Sequence, residues 1–129
     1  MFRVLIVEDE PEILDLLGDL LALEGYDVHT LRQIPHGLDQ IRTLAPDAMV
    51  LDLRMPGLGG MELLRLLAAD RVLRHVPVVI CSGASDLTSA YAVELTRLGC
   101  EIVRKPFDLE DLIGGVRRAV WSRQSGPEL

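Results

Sequence analysis

Apolar residues fall along this chain in two alternating rhythms. Five short runs rich in Val, Ile and Leu, at residues 4–7, 28–31, 48–51, 76–81 and 102–103, alternate with stretches whose apolar positions recur at helical spacing. Unbroken rather than alternating hydrophobicity marks a strand buried on both faces, as in a parallel sheet covered by helices. The first helical stretch opens at Pro11, suited to a first turn, between Glu10 and Glu12, whose charges favour a helix's positive end. Ile13, Leu14, Leu16, Leu17, Leu20, Leu21 and Leu23 predict a wide buried stripe, and Gly25 predicts the stop. A second helix is expected from about 36 to 44, beginning at His36 and halted by Pro46. A third starts near Gly60 and carries Met61, Leu63, Leu64, Leu66 and Leu67. The fourth, about 86–98, has Ser85 or Asp86 as cap and Gly99 as stop; Leu87, Tyr91, Leu95 and Leu98 are spaced to face the core. The fifth, about 109–121, follows Asp108 as cap.

This (βα)5 order predicts an α/β fold, a doubly wound open sheet of five parallel strands. The 129 residues suit one domain over 1–121, followed by a polar segment, 122–129, expected to fray or to begin a linker. In such sheets the working site lies beyond the carboxyl ends of the strands.

Composition narrows the function classes. Thirteen Lys and Arg against twenty Asp and Glu give a net charge of −7, which argues against direct nucleic-acid binding. No apolar run is long enough to span a membrane, and the start MFRVLIVEDE is no signal peptide, so a cytoplasmic location is expected. Cys81 and Cys100 offer neither a disulfide framework nor metal-ligand spacing, and read as reduced thiols near opposite ends of their strands.

The chemistry sits at the predicted strand ends: Glu8-Asp9 after strand one, Asp52 after strand three, Ser82-Gly83 after strand four, Arg104-Lys105 after strand five. Taken singly, the acids suit a helix start, Ser82-Gly83 a turn and Lys105 a solvated loop. Asp52 resists that treatment, because its apolar approach brings it straight out of the core. Converging carboxylates repel one another unless a cation joins them. A hard divalent ion, Mg2+ or Mn2+, fits an all-oxygen set of Glu8, Asp9, Asp52 and the backbone carbonyl of Arg54. A carboxylate so held, with one oxygen to spare, is a nucleophile of the kind that forms aspartyl-phosphate. Lys105, Ser82 and nearby N–H groups then have phosphoryl oxygens to bind, and Gly83 leaves room for them.

The segments LIVEDE, VLDLRMPG, VVICSGAS and VRKPF, in this order and spacing, resemble the receiver domain of two-component response regulators over about residues 2–120. The resemblance implies strand order 2-1-3-4-5, a flavodoxin- or CheY-like sheet, and a signalling role rather than turnover catalysis. It implies Asp52 as phosphoacceptor, Glu8 and Asp9 as the acidic pair, Ser82 as switch hydroxyl, Lys105 as phosphate contact and a cis bond before Pro106. The partners implied are a sensor histidine kinase or phosphotransfer protein, a downstream protein target on the face of helix four, strand five and helix five, and a possible homodimer. The chain departs from the pattern at Ile102, where an aromatic residue is usual; Tyr91 is the nearest substitute, though it also reads as a half-buried helix residue. Arg54 and Ala84 border the crevice and are expected to govern water's access to the phosphoryl group. Gly59-Gly60 calls for positive φ or close backbone packing.

Three rivals are weaker. A haloacid-dehalogenase-type phosphatase needs a second acid where Arg54 stands, and an FMN site needs a Ser/Thr/Gly-rich loop where Glu8-Asp9-Glu10-Pro11 stands. A protein-interaction module that signals without phosphorylation must explain why the full set of Glu8, Asp9, Asp52, Ser82 and Lys105 is present.

Overall fold

The computed structural model describes residues 1–34, 37–54, 59–83 and 89–125. Five strands, β1 (Arg3–Val7), β2 (Asp27–Leu31), β3 (Ala48–Asp52), β4 (Val78–Gly83) and β5 (Glu101–Lys105), form one parallel sheet in the order β2-β1-β3-β4-β5. Between and after them run α1 (Pro11–Leu23), α2 (Asp39–Leu44), α3 (Gly60–Ala69), α4 (Ser89–Arg97) and α5 (Leu109–Ser125).

The sheet separates two apolar layers, and the two-residue repeat of each strand divides its side chains between them. Leu5, Met49, Leu51 and Ile80 pack with Ile41 of α2, Leu63, Leu64 and Leu67 of α3, and Leu95 of α4. Val4, Ile6, Val50, Val79 and Val103 pack with Leu14, Leu17 and Leu21 of α1 and with Leu112 and Val116 of α5. Both layers cover the central strands, which is why those runs are continuously apolar.

Several local expectations need correction. Leu16 and Leu23 lie outside the buried stripe of α1, 54% and 85% exposed, and Leu66 and Leu98 are exposed as well. A single sheet face covers only part of a helix's circumference, and the stripe narrows on α1 to Leu14, Leu17 and Leu21, flanked by half-buried Ile13 and Leu20. The fourth strand begins at Val78 instead of 76. Ahead of it Leu73–His75 forms a 3-10 turn, whose start is capped by Asp70: its Oδ2 accepts the N–H groups of Val72 (3.1 Å) and Leu73 (2.9 Å). Pro77 then has no N–H to give a ladder. Helix α2 begins at Asp39 and ends at Leu44, with Ala45 left-handed (φ 49°) before Pro46. Helix α5 continues four residues past Trp121 to Ser125, because no Gly or Pro interrupts it before Gly126-Pro127. Tyr91 is half-buried against the first layer and Leu95 fully buried in it, as their spacing predicts.

Gly25 and Gly99 take positive φ (94° and 75°) at the ends of α1 and α4. The expected helix start at His36, the caps Ser85 and Asp86, Leu87, Ala84 and the last residues of the 122–129 segment lie outside the described residues, as does the Met55-Pro56-Gly57 turn. Cys81 and Cys100 are free thiols, as expected; Cys81 pairs in register with Val103, three residues along β5 from Cys100. No described helix is long and apolar enough to cross a membrane.

Candidate functional site

The strand register carries the polar residues to one edge. Val7 of β1 pairs with Leu51 of β3, so the next residues, Glu8 and Asp52, come level. Asp52 pairs with Cys81, Ser82 with Arg104, and Gly83 with Lys105. Residues separated by up to 97 positions thereby share the carboxyl edge of the four adjacent strands β1, β3, β4 and β5.

Glu8 is 2% and Asp52 6% exposed, and Ser82 is fully buried. Burial of such groups is tolerated only when they are paired and hydrogen-bonded. Lys105 Nζ stands 3.1 Å from Asp52 Oδ2, to which it donates, and 3.8 Å from Glu8 Oε2. The Arg54 backbone N–H donates to Asp52 Oδ1 at 3.0 Å, and that of Glu10 to Glu8 Oε1 at 3.4 Å. Carboxylate oxygens of Glu8, Asp9 and Asp52, one from each, lie within 4.8 Å of one another.

The electrostatics are those of a crowded acidic pocket. Burial, reinforced by the charge of Asp52, pushes the Glu8 carboxyl up from 4.5 to about 7, against the pull of Lys105. Burial works to lower Lys105, but the hydrogen bond and charge of Asp52, with the charge of Glu8, leave it above its ordinary value. The lysine is therefore charged at neutral pH. One ammonium faces three carboxylates, so the pocket retains surplus negative charge and only hard oxygen donors. Both features fit a hard divalent cation. Cys81, next to Asp52 across the sheet, is pushed by burial up to about 12 and stays a neutral thiol.

The loop after β3 depends on its glycines. Gly59 takes a φ of 86°, and a Cβ at Gly60 would lie 2.6 Å from Leu53 Cα and 2.8 Å from the Asp52 carbonyl oxygen. The expectation of positive φ or close packing is thus met once at each residue. The start of α3 sits directly against the end of the strand that presents Asp52.

Of the residues singled out from the sequence, Glu8, Asp9, Asp52, Ser82, Gly83 and Lys105 come together, and Arg54 joins them through its N–H. The Lys105–Pro106 bond is cis. Ile102 lies away from the acids, paired with Ile80 and packed half-buried on the layer that also holds Tyr91. Sequence reasoning did not find the hydrogen bonds from the Arg54 and Glu10 N–H groups, which depend on loop path rather than residue type.

A five-stranded parallel sheet in this order, with an acid cluster and a lysine at its carboxyl edge, defines a doubly wound α/β domain whose site suits a hard cation. The sequence pattern of response regulator receiver domains matches residues 4–117, and the chain belongs to that family. The chain is 31% identical over 125 residues to the DNA-binding response regulator MtrA of Mycolicibacterium smegmatis, covering 97% of this chain and 53% of that protein. It is 34% identical over 119 residues to the nitrogen assimilation regulatory protein NtrX of Azorhizobium caulinodans, covering 91% of this chain and 26% of that protein. The chain thus spans about half the length of MtrA and about a quarter of that of NtrX. A crystal structure of a receiver domain protein from Clostridium thermocellum superposes with a TM-score of 0.85 at 28% identity, covering 97% of this chain and 98% of that one. Receiver domains are signalling modules of two-component systems, work with histidine kinases, and hold Mg2+ in an acidic cluster of this kind.

Proposed function

We propose that this domain accepts a phosphoryl group on Asp52 from the phosphohistidine of a sensor kinase or phosphotransfer protein. A carboxylate oxygen of Asp52 attacks phosphorus, the P–N bond breaks, and the imidazole leaves with that electron pair, protonated from solvent. The observation that carries this reading is the convergence of Glu8, Asp9 and Asp52 around one point with Lys105 3.1 Å from the acceptor carboxylate.

Arg54 N–H and Lys105 fix the orientation of the Asp52 carboxylate, which favours a productive approach over tumbling geometries. Lys105 is placed to transfer its hydrogen bond from the carboxylate to a phosphoryl oxygen as charge moves outward. Ser82 offers its hydroxyl, and Gly83 the absence of a side chain, at the same edge. Glu8, Asp9, Asp52 and the Arg54 carbonyl are the groups that would hold Mg2+, or Mn2+, and the ion would supply charge neutralisation for the transfer.

The reading extends to a cytoplasmic protein whose phosphorylation alters binding to a downstream protein, or to a second copy, through the face of α4, β5 and α5. Exposed Val93, together with Arg104, Glu110 and Arg118 around the crevice beside β5, gives that face apolar and charged handles. Direct binding of nucleic acid or membrane by this domain is not part of it. Ile102, half-buried where an aromatic is usual, favours a switch that reports phosphorylation through a shifted loop or through dimerisation rather than through an aromatic side chain.

Intact-mass spectrometry with acetyl phosphate and Mg2+ tests the proposal. Wild type is expected to gain one phosphoryl group, and Asp52→Ala and chelator-treated protein none. No gain in any sample would support an interaction module that signals without phosphorylation.

A further inference from the structure

A second concave site lies at the opposite, amino-terminal edge of the sheet. It is a cleft of about 370 Å3 between the last turn of α3, the 3-10 turn before β4 and the end of α4. That volume falls within the roughly 300–1,000 Å3 of small-molecule sites. Behind it lie the buried core residues Leu64, Leu67, Leu73, Val76 and Val78, and its accessible apolar surface comes from Leu98, Ala68 and half-buried Pro77. Its rim carries two guanidiniums, Arg74 and Arg97, beside the His75 ring. No Asp or Glu lines it among the described residues, although acids outnumber bases twenty to thirteen in the chain.

The two guanidiniums retain donors for a ligand. Among the described residues the Arg74 guanidinium has one hydrogen bond, to the neighbouring His75 ring at 3.4 Å, and Arg97 forms no ion pair, although its charge is felt by Glu94. The nearest acid to Arg97 on α4, Glu94, is held by the fork of Arg65 at 2.8 and 2.9 Å. A cation in the last turn of α4 also complements the helix's negative end. That accounts for Arg97 but not for Arg74 across the cleft, nor for the missing acids. Gly99, required by its φ of 75°, leaves the wall at the end of α4 open, with nothing within 4 Å of where a Cβ would stand.

We propose that this cleft binds a small amphipathic anion, an alkyl chain or aryl ring ending in a carboxylate, with the apolar part against Leu98 and Pro77 and the carboxylate between Arg74 and Arg97. Planar guanidiniums suit a carboxylate, and the apolar surface beside them disfavours a polyanion. A ligand seated there touches both α3 and α4, the helix that follows Ser82 and the β4–α4 connection.

Titration of the unphosphorylated chain, in chelator, with decanoate and with decan-1-ol by amide NMR tests this independently of any phosphoryl chemistry. Saturable shifts are expected at Ala68, Arg74, Gly99 and Cys100, with decanoate bound about tenfold tighter than the alcohol, the worth of one charge-assisted contact. Arg74→Gln with Arg97→Gln should bring decanoate to the affinity of decan-1-ol. Ala68→Trp, on the exposed mouth, should block both ligands while leaving the sheet resonances in place. Shifts elsewhere, no saturation, equal affinities for the two ligands in wild type, or an unaffected double variant would overturn the proposal.

Discussion

Glu8 shows how one buried carboxyl records the pocket around it. Its folded value of about 7 lies above its ordinary 4.5, because burial and Asp52 oppose its charge. Between those values the folded state binds more protons than the unfolded chain. Stability contributed at low pH is therefore lost as pH rises from about 4.5 through 7. In chelator, Glu8→Gln removes this dependence. Wild type should lose on the order of 1–2 kcal/mol relative to the variant between about pH 5 and pH 8, screening by nearby water included. Urea unfolding at both pH values checks this, and parallel pH profiles for the two proteins would refute the pocket's electrostatics. The residue types at this site were legible in the sequence, since an Asp at the end of an apolar run and a Lys before Pro need no coordinates to be noticed. The degree of their coupling was not, because it depends on distances across three strands.

At the scale of elements, the loop from β3 into α3 and the seating of α4 are the two places where small changes matter most. Gly60→Ala forces a Cβ against Leu53 Cα and the Asp52 carbonyl, both backbone and unable to rotate away. A loss of about 1–3 kcal/mol is expected in thermal or urea unfolding, with displacement of the Asp52 amide resonance. Helix α4 is anchored differently: Leu95 is its one buried residue among those described, supported by the Arg65–Glu94 fork from α3. Leu95→Ala should cost about 2–5 kcal/mol and speed amide exchange in α4 more than in α1 or α5. Uniform acceleration across the helices would contradict that seating. The glycine pair and the helical spacing of Leu95 could be read from sequence. The 3-10 turn before β4 could not, since it depends on Asp70 folding back onto two N–H groups, and neither could the fork between residues 29 positions apart. The leucines Leu16, Leu23, Leu66 and Leu98 misled for the reverse reason: helical spacing identifies a face, but only packing decides how wide that face is.

For the whole molecule, the order of five apolar runs was enough to give the (βα)5 architecture, and parallel register did the rest. Register converts sequence distance into proximity: a one-residue slip of β3 against β1 would turn Asp52 toward the other layer and separate it from Glu8. The same topology places the acid cluster at the carboxyl edge of the sheet and the cleft lined by Arg74 and Arg97 at the amino edge. The most direct measurement of the central claim is to phosphorylate the protein with acetyl phosphate and Mg2+, trap the acyl phosphate by borohydride reduction, and map the reduced residue by tandem mass spectrometry. Reduction at Asp52 alone is the expected result; reduction at Glu8, Asp9 or any other acid, or at none, would contradict the account.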